Sequence, residues 1–250
     1  MPTPAPLYSR PLSLWLCLAL PLALIVLLLA FPPTSLDFAI SHLFYSQELG
    51  FAGKHSYWLE NILHERAKQA VITFAVLAAL GLMLSFVYKP WTWLRLPLGY
   101  LVLAMSLCTA VVTPLKVVTG VHCPWDLSEF GGTETYSPLL GTREPTLKPG
   151  RCWPAGHSSS GFTFFALYFL LRDRRPRLAK VALVFALALG SLLSIGRIMQ
   201  GAHFLSHSLW TALFDWMIAL GCYHFLLYRP QRKDPKLTAR EQAKTVTSLD

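Results

Sequence analysis

The feature that most constrains this chain is a succession of apolar stretches too long and too closely spaced for a water-soluble core. A bilayer interior of roughly 30 Å takes about 20 apolar residues as a helix. Six stretches approach or reach that length: Leu12–Phe31, Val71–Tyr88, Leu94–Leu115, Ser159–Leu171, Leu178–Ile198 and Leu205–Leu227, the fourth of them short. Backbone polar groups in lipid must be satisfied within their own segment, which points to helices. The expectation is an all-α fold, a six-transmembrane-helix bundle forming one membrane domain over residues 1–250. With 54% hydrophobic and 14% charged residues, the composition excludes an ordinary soluble domain. Pro11 suits the start of the first helix and Pro32-Pro33 its stop. That stretch is longer than the core of a signal peptide and lacks a small-x-small cleavage site, so it reads as a retained span.

Lys and Arg distribute unevenly between the two sides that six spans would define. One side holds Arg10, Lys89, Arg95, Arg172, Arg174, Arg175, Arg177, Lys180 and the basic tail over 229–250, against four acids. The other side carries eight Lys/Arg and eight Asp/Glu. The first side is therefore expected in the cytoplasm with both termini, and the basic tail against anionic lipid head groups. The net charge of +9 is read as a topology signal, and no nucleic-acid partner is implied.

Every inner connection is short, while two long segments, 34–70 and 116–158, fall on the outer side. The first mixes Phe38, Leu43, Phe51, Trp58 and Ile62 with scattered charges and predicts an amphipathic interfacial segment. Its histidines, His42, His55 and His64, read as surface residues. The second is richer in Gly, Pro and Thr and predicts a loop without regular structure. Cys123 and Cys152 bracket that loop and either close a disulfide or stand as free thiols. Cys17, Cys108 and Cys222 fall inside spans as small apolar side chains.

Ionisable groups at membrane depth are expensive and mark function. Lys116 ends the third stretch and is followed by His122-Cys123-Pro124; Pro154-Ala155-Gly156-His157-Ser158 opens the fourth; Gly196-Arg197 leads to His203 and His207 at the start of the sixth. The topology gathers all of these at outer helix ends. Lys116 and Arg197 suit phosphate oxygens, with His122 adding charge and Gly156 and Ser158 supplying N–H groups at a helix start. One histidine attacks phosphorus while another protonates the departing oxygen. Asp126 and Glu129 either orient the cations or cap the loop. Asp215 reads as a buried hydrogen-bond partner, and Trp125, Trp153, Trp210 and Trp216 as an interface belt or a lipid groove.

In order and spacing, the three groups over residues 90–220 resemble the type 2 phosphatidic-acid phosphatase family, related to vanadium haloperoxidases. Its pattern is Lys-x6-Arg-Pro, Pro-Ser-Gly-His and Ser-Arg-x5-His-x3-Asp. The resemblance implies a membrane phosphatase or phosphotransferase acting on a phosphorylated lipid through a phosphohistidine, without cofactor or obligatory metal. It implies His203 as nucleophile, His157 as proton donor and then base, Lys116 and Arg197 as charge stabilisers, and position 207 as the residue that orients the nucleophile. Candidate substrates are phosphatidic acid, phosphatidylglycerol phosphate, an isoprenoid diphosphate such as undecaprenyl diphosphate, or the phosphates of lipid A. The site would then face the periplasm from a bacterial inner membrane.

The departures are Cys123 for Arg, Ala155 for Ser, Gly196 for Ser and His207 for Asp. They predict an active site with altered acid–base tuning. Two other functions remain open at this level. One is a metal-dependent hydrolase using His203, His207 and either His122 or Cys123; the other is a degenerate lipid-phosphate binding or transport protein.

Overall fold

The computed structural model describes residues 13–143, 146 and 148–228. Arg10, Pro11, Leu12 and the basic tail over 229–250 lie outside the described residues. The Ser13 side chain accepts from the Leu16 N–H and starts α1 (Leu14–Ala30), which stops ahead of Pro32-Pro33. The chain then bends by 85° into α2 (Thr34–His42). A small hairpin pairs β1 (Tyr45–Ser46) with β2 (Gly50–Phe51). A π-helical stretch over Trp58–Arg66 runs straight into α3 (Ala67–Val87), and a 3-10 turn over Lys89–Leu94 reverses the chain into α4 (Arg95–Thr119). Arg95 Nε donates to the Ser85 carbonyl at 2.9 Å, satisfying an acceptor that the end of α3 leaves open. An irregular loop with short 3-10 turns at Pro124–Asp126 and Ser128–Phe130 leads to α5 (Gly156–Phe162), α6 (Phe165–Leu171), α7 (Pro176–Met199) and α8 (Leu205–Tyr223).

Among the described residues, four helical stretches are long and apolar enough to cross a membrane: Trp58–Val87, Lys89–Asp126, Pro176–Met199 and Leu205–Tyr228. The bent pair of α1 and α2 makes a fifth if it counts as one span. The expectation of six is met only to that extent, because the Ser159–Leu171 stretch is realised as two seven-residue helices. Between them Phe164 N–H donates to Gly161, Ala166 to Thr163 and Leu167 to Phe164, so the backbone tightens into i→i+3 bonding. The interfacial segment also differs from expectation. Residues 58–66 form the opening turns of the long helix that α3 continues, leaving α2 and the hairpin as separate pieces. Leu77, Met83 and Phe86 on α3 are all more than half exposed, which suits contact with acyl chains better than contact with water.

The core is built where α5 and α6 lie among α4, α7 and α8. Tyr100, Phe162, Phe165, Phe169 and Tyr223 fill it, and the Tyr100 hydroxyl donates to the Ala219 carbonyl at 3.2 Å to tie α4 to α8. The tightest crossing joins α5 to α7. A Cβ on Gly161 would stand 2.4 Å from the Gly190 nitrogen, and one on Gly190 would stand 2.3 Å from the Phe162 ring. Small residues let two backbones approach closely where hydrophobic burial between helices is weak. The approach sets the last turn of α7, with Arg197, beside the first turn of α5, with His157.

Gly161→Ala is therefore expected to cost roughly 1–3 kcal/mol as an overpacked contact and to lower the melting temperature in detergent. Gly221→Ala on α8, where an added Cβ meets nothing within 4 Å, is the control that should leave melting unchanged.

Candidate active site

The turn between α7 and α8 carries the central histidine. Ala202 N–H donates to the Arg197 carbonyl at 2.9 Å, and Gly201 takes a left-handed φ of +72° with the Phe51 ring packed beneath it. A Cβ there would stand 2.3 Å from that ring, so the position requires glycine. Trp125 N–H donates to the Gly201 carbonyl and Gly53 N–H to the Met199 carbonyl, so the long loop and the hairpin both fasten the turn. His203 emerges from it almost fully buried. Burial first, then the positive field of Lys116, the neighbouring His207 ring, Arg197 and His157, push its pKa well below the usual imidazole range. A neutral imidazole keeps a lone pair for attack.

The other groups converge on it. His207, one turn into α8, is buried with its ring centroid 5.9 Å from that of His203. Lys116 ends α4 with Nζ against the first residue of α5, since a Cβ on Gly156 would stand 3.4 Å from it. Arg197 is held on several sides. One guanidinium nitrogen donates to Gln200 Oε1 at 2.8 Å and lies 3.2 Å from His64 Nδ1 and 3.8 Å from Glu60. The guanidinium carbon sits 5.6 Å from the Trp125 ring centroid. Gln200 in turn donates to Glu60 at 2.8 Å. The His157 and His64 rings are in contact, with centroids 3.8 Å apart, and His157 Nδ1 is buried without a hydrogen-bond partner among the described residues. Two cations and four imidazoles thus lie close together, and the acid paired with Arg197, Glu60, is more than half exposed. The arrangement is short of one anion.

Some expected residues stand elsewhere. His122 lies in a neighbouring cleft of about 580 Å³ with Lys148 and Arg151, and its Nε2 is 3.6 Å from Glu134. The Ser158 hydroxyl is fully buried 2.8 Å from Ser194 Oγ and 3.1 Å from Ser208 Oγ; a phosphate could meet only its backbone N–H. Asp126 caps its own loop by accepting the Cys123 N–H at 3.0 Å, and Glu129 pairs with His42 at the surface. Cys123 and Cys152 are joined as a disulfide. Cys152, His203 and His207 each present a ligand atom within 4.8 Å of the others, which is the spacing of a metal-binding triad. In the disulfide Cys152 has no thiolate to offer, so the set reduces to two imidazoles.

Sequence reasoning passed over His64, Glu60 and Gln200. Glu60 and His64 lie four apart on one helix, and Gln200 lies three residues after Arg197, so helical spacing could have flagged both contacts. Asp37 gave no local signal. From α2 it accepts the Ser206 N–H at 2.9 Å and the Ser206 hydroxyl, capping α8 from 169 residues away. Burial raises its carboxyl to about 6 against the opposing pull of those hydrogen bonds. Asp37, Ser206 and His207 also line an apolar pocket of about 280 Å³ with Leu28, Trp153 and Trp210.

The profile of the PAP2 superfamily matches residues 97–231, more than half of the chain and the part that holds every one of the three groups. The chain belongs to the PAP2 superfamily. With that membership it is a phosphoric monoester hydrolase. A similar protein is the lipid A 4'-phosphatase of Francisella tularensis subsp. novicida (strain U112), 26% identical over 212 residues that cover 82% of this chain and 90% of that one. No solved structure matches. For a PAP2 member the cap on α8 matters because it steadies the turn carrying His203 and His207. Asp37→Ala should cost about 1 kcal/mol, as the loss of a helix cap does, and speed amide exchange at Ser206 and His207. Asp37→Asn keeps a carbonyl acceptor and should preserve most of the protection.

Proposed function

We propose that this chain is an integral membrane lipid phosphatase that works through a phosphohistidine at the outer leaflet. The observation that carries the reading is the cluster itself: a buried neutral His203 beside Lys116, Arg197 and His157, with the more than half exposed Glu60 as the acid set against two cations among the described residues, which leaves room for a further anion. A phosphate monoester supplies that anion. Lys116 and Arg197 hold its non-bridging oxygens, Arg197 already aligned by Gln200 and Trp125. The His203 Nε2 lone pair forms a bond to phosphorus while the bond from phosphorus to the lipid oxygen breaks. His157, protonated in the presence of the bound anion, gives its proton to the leaving alkoxide. It then takes a proton from water, whose oxygen attacks phosphorus as the P–N bond breaks and inorganic phosphate leaves. If another lipid hydroxyl replaces water, the same steps transfer the phosphoryl group.

The lipid is best read as one with a phosphorylated saccharide head, by likeness to the Francisella phosphatase. The asymmetry of Lys and Arg supports both termini in the cytoplasm and a site on the periplasmic side of a bacterial inner membrane, with six crossings if α1 and the α5–α6 pair each traverse. The apolar pocket beside His207 suits an acyl chain entering from the bilayer.

Purified protein in detergent, with chelator present, should release phosphate from a panel of lipid phosphates, and fastest from saccharide lipids. His203→Ala should lower kcat by about a thousandfold or more. Release that survives this substitution contradicts the phosphohistidine route; loss of activity in chelator alone would favour a metal held by His203 and His207.

A further inference from the structure

We infer that Cys152 is the positioning partner of His203, with its sulfur accepting the Nδ1 proton and leaving the Nε2 lone pair toward phosphorus. The inference rests on the proposed role of His203 as nucleophile. A nucleophilic imidazole needs its second nitrogen occupied, because a neutral ring carries one proton and the choice of nitrogen decides which lone pair is free. The family pattern quoted above has an aspartate four residues on for this purpose. Here that residue is His207, and its ring stands edge-on to His203 with centroids 5.9 Å apart.

The atom that does meet His203 Nδ1 is Cys152 Sγ, at 3.3 Å, with both residues buried. A disulfide sulfur has lone pairs and no proton, so it can only accept. A proton on Nδ1 meets that acceptor, whereas a proton on Nε2 would set the Nδ1 lone pair against the sulfur's own. The contact thus selects the tautomer that nucleophilic attack requires.

Cys152 is held for this task from three directions. Its N–H donates to the Val121 carbonyl at 2.9 Å. Cys123 is its covalent partner, and Trp153 beside it packs edge-to-face on Trp210 and Phe214. Two departures from the family pattern therefore complement each other. Cys123, in place of Arg, tethers the sulfur, and His207, in place of Asp, leaves the Nδ1 contact of His203 to it. The same sulfur lies 2.7 Å from the Ala202 carbonyl oxygen. Only a thiol has a proton for that oxygen, so a reduced Cys152 would donate to Ala202 and still offer its lone pairs to His203.

This last point separates positioning from mere clasping. Cys123→Ala breaks the disulfide and keeps the sulfur; Cys152→Ala removes both; Cys152→Ser restores a hydroxyl acceptor without the bond. In detergent at matched folding, Cys152→Ala should lose roughly tenfold or more in kcat with KM nearly unchanged, because the wrong tautomer lacks the reacting lone pair. Cys123→Ala should lose far less, and Cys152→Ser should recover part of the loss. Nitrogen NMR of isotope-labelled histidine, with the His203 signals identified by their loss in His203→Ala, reads the tautomer directly. It should report Nδ1–H in the unsubstituted protein and in Cys123→Ala, and a mixture in Cys152→Ala. Equal losses in Cys123→Ala and Cys152→Ala, or an Nε2–H tautomer in the unsubstituted protein, would overturn the inference. If the unsubstituted protein releases no phosphate from any lipid, the phosphatase reading fails, and the NMR comparison still decides the role of Cys152.

Discussion

Holding Lys116 and Arg197 together, largely out of water and with the more than half exposed Glu60 as their counter-charge among the described residues, is the constraint on which the rest of this structure depends. Like charges at close range repel, and burial removes the solvent that would screen them. The chain meets this by fixing each side chain from outside the pocket. Gln200, Glu60 and Trp125 fix Arg197, and the close start of α5 confines Lys116. In the proposed reaction that cost would be met by an entering phosphate, so the arrangement that burdens the empty protein would favour the bound anion. The tight crossing of Gly161 on Gly190 belongs to this account, because it brings the ends of α5 and α7 together. So does the left-handed turn at Gly201, which presents His203.

His207, where the family pattern has Asp, takes a fixed negative charge away from His203, the proposed nucleophile. A carboxylate would raise the basicity of His203 and stabilise the positive charge on its phosphorylated ring. A sulfur acceptor, as inferred for Cys152, would orient the ring without doing either. The expected result is an enzyme whose nucleophile is neutral over a wide range of pH and whose intermediate is less stabilised. Its cations therefore carry a larger share of the electrostatic work. The cap that Asp37 places on Ser206 then matters more, since it steadies the first turn of α8 from another segment.

Much of this was readable from residue order alone. Lys116, His157, Arg197 and His203 stand out in the sequence because charged groups at helix ends are costly, and in the structure they lie close enough for Lys116, Arg197 and His157 to act on the charge state of His203. The helices over Ala67–Val87, Arg95–Thr119 and Pro176–Met199 follow from apolar length. Partners that arrive from distant segments were not readable. His64 looked like a surface residue because the segment around it is amphipathic, yet the continuous helix from Trp58 turns it onto His157. His122 was assigned to the phosphate by proximity in sequence, while Glu134, twelve residues later, draws it into another cleft. The break after Phe162 escaped notice because apolar composition does not report a local shift to i→i+3 bonding.

The proposed reaction turns on a bond between phosphorus and His203. Rapid alkaline quenching of the protein during turnover of a phosphorus-labelled saccharide lipid, followed by digestion and mass spectrometry, tests it most directly. The account predicts label on the peptide containing His203, stable in alkali and lost in acid, appearing and decaying at the rate of phosphate release. Steady phosphate release from a protein that never carries label on that peptide would contradict it.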